Sequence, residues 1–253
     1  MKVLLTNDDG INSQGIIILA QEMSKIATVA VVAPDRERSA TAHAITMHKP
    51  LRTQKVSIPG CDAKGWMVNG TPSDCVKLAM DVLLDFSPDM VLSGINRGYN
   101  LGTDVIYSGT VSAAIEAAIQ GVPAVALSVA ESEQTCFNYP AMFAVRLCQQ
   151  ISNQVFPQDT LLNINVPCLS EEDILGAYIT HLGVRKYENT FEQRRDPRGK
   201  SYYWMAGRPI DDLNNIGSDV WAVKNRYISI TPVQFDLTKY SIIEKIKNWN
   251  IVL

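Results

Sequence analysis

Two adjacent carboxylates, Asp8 and Asp9 in Asn7-Asp8-Asp9-Gly10, are the sharpest chemical feature of this chain. Neighbouring carboxylates repel, and each raises the other's pKa unless a cation lies close by. Oxygen donors without imidazole or thiolate beside them favour a hard ion such as Mg²⁺, Mn²⁺ or Ca²⁺. The competing role is local: an Asx turn, with Asp9 or Asn12 capping the helix that follows. Ser39, at the end of Pro34-Asp35-Arg36-Glu37-Arg38-Ser39, and Asn96, in Gly94-Ile95-Asn96-Arg97-Gly98, are neutral oxygen donors. They either complete a cation shell or serve as ordinary loop hydrogen-bonders. Ser108-Gly109-Thr110 opens an alanine-rich segment that carries no charge until Glu116. Free N–H groups at such a helix start suit a phosphate, with two hydroxyls beside them. The plainer alternative is a Thr110 N-cap.

Other patterns are weaker. Gly10 and Gly15 have phosphate-loop spacing, but Ile16-Ile17 stands where that motif needs Lys and Ser or Thr. No GxGxxG follows the first apolar run. Thr71-Pro72-Ser73-Asp74 is expected to be a helix cap. His43 is assigned no role, and Arg36 and Arg38 are expected to be solvated charges.

These segments need a frame that brings them together. Short apolar runs at Lys2–Thr6, Thr28–Ala33, Met90–Ser93, Ala124–Ser128, Leu161–Val166 and Tyr227–Thr231 read as strands. Helical spacing is found over Gly15–Ile26, Pro72–Leu84, Val111–Gln120, Tyr139–Ile151 and Lys239–Trp249. Strands apolar on both faces, alternating with helices, predict an α/β fold with a Rossmann-like, doubly wound, mostly parallel sheet. In such sheets ligands bind outside the carboxyl ends of the strands, where all three polar loops would open. Ala40–Val68 is expected to make an antiparallel excursion, and His181–Gly217 a protruding hairpin turning at Arg195–Gly199. A long hairpin has no core of its own, which points to a second subunit. Residues 1–180 are accordingly expected to form the catalytic core. Residues 181–253 would supply a hairpin, strand and helix for oligomerisation, partly returning to the core.

Composition narrows the class. In 253 residues, 46% are hydrophobic and 19% charged, and 23 basic against 26 acidic residues leave a net charge of −3. That balance gives no electrostatic reason to expect nucleic-acid polymers or anionic membranes as partners. No run of about 20 apolar residues is present to span a membrane. Cys61, Cys75, Cys136, Cys148 and Cys168 are scattered, odd in number and without a CxxC pair, as expected of free thiols in the cytoplasm. Only three histidines occur, which argues against zinc held by imidazole.

Taken together and in order, several segments resemble the SurE family, the stationary-phase survival proteins. They are TNDDGINSQGI (Thr6–Ile16), VAPDRERSATAHAIT (Val32–Thr46), VNGTPSDCVKLA (Val68–Ala79), the stretch from Ser93 to Ser128, and SDVWAVKNRYISITPVQFDLT (Ser218–Thr238). The region from Arg185 to Gly217 is the least distinctive. The resemblance implies a divalent-metal-dependent phosphatase acting on nucleoside monophosphates at the 5′ or 3′ position, with short polyphosphate as a further substrate. It implies metal ligands at Asp8, Asp9, Ser39 and Asn96 for one Mg²⁺ or Mn²⁺ per subunit, with Asp8, Asp9 and Asn96 also catalytic. It further implies a phosphate loop at Ser108, Gly109 and Thr110, and a homodimer or homotetramer that exchanges C-terminal elements. Ser218 departs mildly from a threonine common in the family. Water is the expected nucleophile, because a cation commits both aspartates; attack by an aspartate is the alternative. A nucleotide sensor that binds without turnover and a phosphotransferase are the rival functions.

Overall fold

The computed structural model describes all residues except 133–135, 153, 155, 158, 250 and 252–253. In chain order it contains β1 (Lys2–Thr6), α1 (Gln14–Met23), β2 (Thr28–Pro34), β3 (Thr53–Ser57), β4 (Lys64–Val68), α2 (Pro72–Leu78), β5 (Met90–Arg97), α3 (Gly109–Ile119), β6 (Ala124–Val129), α4 (Asn138–Ile151) and β7 (Thr160–Val166). After these come β8 (Ala177–Ile179), β9 (Arg185–Glu188), β10 (Phe191–Arg195), β11 (Ser201–Met205), β12 (Arg208–Asp211), α5 (Asp219–Lys224), β13 (Ile228–Gln234) and α6 (Ile243–Lys247).

Nine strands form one sheet in the order β3-β4-β2-β1-β5-β6-β7-β13-β8. The central run from β4 to β7 is parallel throughout, with antiparallel pairings only at β3–β4 and β7–β13. This is the expected doubly wound frame. Its strands are buried on both faces because apolar residues run continuously along them, as in Val29–Ala33 and Ala124–Leu127. One face packs α1 and α4 around Leu5, Ile16, Leu19, Leu92 and Ile164. The other packs α2 and α3 around Leu4, Val91, Ala113, Ala114 and Ala117. Alanines let α3 lie close to the sheet.

From β1 the chain builds outward through β2 and β4, then returns to place β5 on the opposite side of β1. The direction of winding reverses there, so the carboxyl ends of β1 and β5 border a crevice rather than a covered edge.

Three element boundaries differ from expectation. The Pro72–Leu84 helix is α only to Leu78, and a wider π turn over Ala79–Leu83 finishes it. In the Ala40–Val68 region only Thr53–Val68 is antiparallel, through β3 and β4. The last helix is reduced to a 3₁₀ turn, Tyr240–Ile242, and α6. None of its described residues is buried, and short helices without packing are marginal. The hairpin does form, as β10–β11 with a turn closed by Asp196 N–H to Lys200 O at 2.9 Å, and β9–β12 pair beneath it.

Candidate functional site

The turn after β1 is held by Asn7. Its amide donates to Gly10 O (3.0 Å) and Ser13 Oγ (2.7 Å), and its Oδ1 accepts the Gly10 N–H (3.1 Å). Gly10 has φ +97 and sits against the Arg36 backbone, where a Cβ would come within 3.1 Å. The N-cap of α1 is Ser13, without a side-chain cap bond. Asn7 therefore does the local work that the turn-and-cap alternative assigned to Asp9 or Asn12. Both aspartates are left free of any structural duty in the turn.

Asp8 is buried, and burial raises its pKa even though the Thr110 hydroxyl pulls the other way. Burial and the neighbouring Asp8 charge push Asp9 up to about 6. The chain supplies little positive charge in return: the Arg97 side chain acts only weakly on Asp9 and pairs with Glu131 at 3.6 Å.

Three other loops converge on this pair. The Arg38 N–H donates to Asp8 O at 2.7 Å, which docks the loop after β2 and carries Ser39 alongside. Ser39 is exposed, and its hydroxyl donates to Glu37 Oε1 (2.7 Å), which leaves its oxygen lone pairs available. The Arg97 N–H donates to Asp9 Oδ2 at 3.3 Å, so the end of β5 brings Asn96 to the same place. Asn96 gives its amide hydrogen to Gly98 O (2.8 Å), leaving Oδ1 as the end free to accept. Finally, Thr110 Oγ1 donates to Asp8 Oδ1 at 2.5 Å, and a Cβ on Gly109 would lie 2.9 Å from the Asp8 side chain. The start of α3 thus abuts the first carboxylate.

The helix start differs from the plain alternative. Ser108, not Thr110, is the N-cap and accepts the Val111 N–H at 3.1 Å. Thr110 is turned instead to Asp8. All seven expected site residues therefore meet at one sheet edge. The donor set fits a hard divalent cation: two carboxylates, a hydroxyl and an amide oxygen, with buried negative charge needing compensation. Among the described residues no cluster of three His, Cys, Asp or Glu offers a softer alternative.

Several residues behave otherwise than the sequence led us to expect. Arg38 is not simply solvated, since it pairs with Asp35 at 3.0 Å and reaches Asn69 O. His43 bonds the buried Glu116 at 2.9 Å, and that bond holds the Glu116 carboxyl below its ordinary range. Thr71 and Asp74 form the expected reciprocal cap. Two polar groups went unnoticed. Asn100 is buried and ties the loop after β5 to the sheet, its N–H to Asn165 Oδ1 (2.8 Å) and its amide to Ser128 Oγ (2.8 Å). Its carbonyl accepts from Asn163 and Asn165 at 2.8 and 3.0 Å. Asp219 is the other. A polar residue in the middle of an apolar run, such as Asn163 or Asn165, was the signal available.

The family described as Survival protein SurE matches residues 3–189. The 5′-nucleotidase SurE of Heliobacterium modesticaldum is 51% identical over 249 residues, covering 98% of this chain and 92% of the relative. That of Carboxydothermus hydrogenoformans is 52% identical over 254 residues, with 98% and 96% coverage. A crystal structure of the SurE protein from Aquifex aeolicus superposes with a TM-score of 0.87 at 40% identity, covering 99% of this chain and all of that one.

Proposed function

The chain belongs to the SurE family, and from that premise we propose that it is a 5′-nucleotidase, a divalent-metal-dependent phosphomonoesterase acting on nucleoside monophosphates. The observation that carries the reading is the contact between Thr110 Oγ1 and Asp8 Oδ1. It joins an acidic pair suited to a cation with a helix start suited to a phosphate, so one phosphoryl group can engage both.

In this reading Asp8, Asp9, Ser39 and Asn96 hold one Mg²⁺ or Mn²⁺ per subunit. When bound, the ion offsets the charge that builds on the phosphoryl oxygens and favours a deprotonated nucleophile. Ser108, Gly109 and Thr110 bind and orient the phosphate through the free N–H groups of α3 and the Ser108 hydroxyl, which accepts the Val111 N–H and keeps its own proton to donate. Thr110 Oγ1 fixes Asp8 Oδ1 by donating its hydrogen bond to that atom. Asp9 is braced by the Arg97 N–H. Water is the nucleophile, since both carboxylates are committed. The ester at the 3′ position and the terminal phosphate of short polyphosphate present the same group and are further substrates. The net charge of −3 argues against nucleic-acid polymers as partners. No described helix is long and apolar enough to cross a membrane, and the free cysteines suit the cytoplasm as the site of action. The exposed hairpin suits a homodimer or homotetramer.

The test is phosphate release from nucleoside 5′- and 3′-monophosphates and short polyphosphate, in EDTA, Mg²⁺ or Mn²⁺, for wild type and Asp8→Asn. We expect metal-dependent release from the 5′-monophosphates, reduced at least about a hundredfold in the variant. Binding without release by folded wild-type protein would favour a sensor, and release that survives EDTA would remove the metal from the mechanism.

A further inference from the structure

Asp219 is fully buried, far along the chain from every residue assigned above, and lies beyond the residues 3–189 matched by the family. Its carboxylate accepts three backbone N–H groups, two from distant segments and one from its own neighbour. Gly102 donates to Oδ2 at 2.7 Å, while Gly183 and Val220 donate to Oδ1 at 2.8 Å each. The first two segments are themselves in contact: a Cβ on Gly102, whose φ is +53, would lie 2.7 Å from Gly183 O. Only a carboxylate suits this place. Three donors meet two acceptor oxygens, and an amide would turn N–H against N–H at one of them. Burial raises the Asp219 pKa while the three N–H groups oppose that rise.

Gly102 is also where a 3₁₀ turn begins, Gly102–Tyr107, and that turn leads straight into the Ser108 cap of α3. The Ser108 N–H bonds Val105 O at 3.3 Å, so the turn and the cap are one continuous piece. Six residues of 3₁₀ helix make a stiff connector of about 12 Å at roughly 2 Å per residue. Leu101, just ahead of it, packs on Val220 and Val223 of α5. On its outer side the turn is held by Thr103 and Asp104, which bond Arg185.

We propose that Asp219 is a positioning residue for phosphate binding, setting through Gly102 where the Ser108–Thr110 end of α3 meets Asp8. This rests on the reading of Ser108–Thr110 as the phosphate site. The segment after the hairpin is then part of the active centre's support and not only of its assembly. The metal side of the site, built from the ends of β1, β2 and β5, meets this path only where Thr110 and Gly109 touch Asp8. Asp219 should therefore act much more strongly on the phosphate half of the site than on the metal half.

Two quantities separate those halves: the inhibition constant of inorganic phosphate, and the affinity for Mn²⁺ titrated without substrate. For Asp219→Asn we expect the phosphate inhibition constant and the nucleotide KM to rise about tenfold or more, as small displacements of a binding group cost. Mn²⁺ affinity should fall much less, by about twofold to threefold, because Asp8 is the one proposed metal ligand in contact with the start of α3. Gly183→Ala gives a milder version, since its Cβ would lie 3.2 Å from Asp219 Oδ1 and nudge the carboxylate. It should move phosphate inhibition in the same direction, and it decides the matter if Asp219→Asn does not fold. Unchanged phosphate inhibition in a folded variant overturns the proposal. So does equal weakening of phosphate and Mn²⁺, which would make Asp219 a general support of the fold. Wild-type protein that neither hydrolyses nucleotides nor is inhibited by phosphate would instead bring down the functional reading, and this inference with it.

Discussion

At the scale of single residues, the site is a problem in buried negative charge. Asp9 titrates near 6 instead of in the usual carboxylate range because burial and the Asp8 charge both disfavour ionisation. A carboxyl whose folded pKa is raised costs stability where it is ionised, above about 6, and that cost fades as pH falls through the folded value toward the unfolded one. In EDTA, the stability gained by Asp9→Asn should therefore be larger at pH 7.5 than at pH 5. A gap between variant and wild type that is flat across that range in thermal unfolding would show that Asp9 is not perturbed as described. Mn²⁺ works in the opposite direction, because it needs the ionised form. Its affinity should fall below pH 6 by up to about tenfold per unit for each proton displaced. Asp8 and Asp9 stood out in the sequence because adjacent carboxylates repel, which left a cation site and a local turn or cap as the two readings. Whether Asp9, Asn12 or Asn7 made the turn was not legible, since Asp and Asn both form Asx turns and only the hydrogen bonds distinguish them.

At the scale of elements, the meeting of β1 and α3 is the decisive junction, and Gly109 is the residue that permits it. Gly109 is the first residue of the helix, so alanine there should if anything favour the helix itself. The obstacle is outside the helix: the new Cβ would stand 2.9 Å from both Cβ and Oδ2 of Asp8. We expect Gly109→Ala to fold with a melting temperature close to wild type while kcat/KM drops about a hundredfold, a misplacement effect. A parallel loss of both would mean the glycine matters to folding alone, and unchanged kinetics would mean Asp8 moves aside at no cost. Strands and helices around this junction were readable because apolar periodicity is a local signal. The junction's supports were not. Asn100 finds its partners at Ser128, Asn163 and Asn165, and Asp219 finds Gly102 more than a hundred positions away. Nothing in the neighbourhood of either residue marks it as buried.

At the scale of the whole molecule, the unsolved surface is the hairpin. A two-stranded ribbon has no interior, and β10 and β11 leave every one of their residues exposed. Yet Phe191, Tyr203 and Trp204 are 62, 61 and 59% exposed, and Met205 is 80% exposed. Aromatic side chains held out on a polar turn are costly in water unless something covers them, and clusters of this kind mark interfaces. A second copy is the occupant we propose, consistent with the base of the ribbon being anchored where a partner's pull could be borne. There Arg185 bridges Asp104 at 2.8 Å and Asp211 at 3.0 Å. That base also grips the turn leading to Ser108, through Thr103 and Asp104, so the proposed interface and the proposed phosphate loop have Arg185 in common. Trp204→Glu should then lower the molecular mass measured by light scattering to that of a single chain, leaving the circular dichroism of the core unchanged. Wild-type protein should also melt at temperatures that rise with its concentration, since association stabilises only the folded form. Wild type that is already a single chain at all concentrations would refute the covered hairpin. A variant that stays assembled would move the interface elsewhere on the chain.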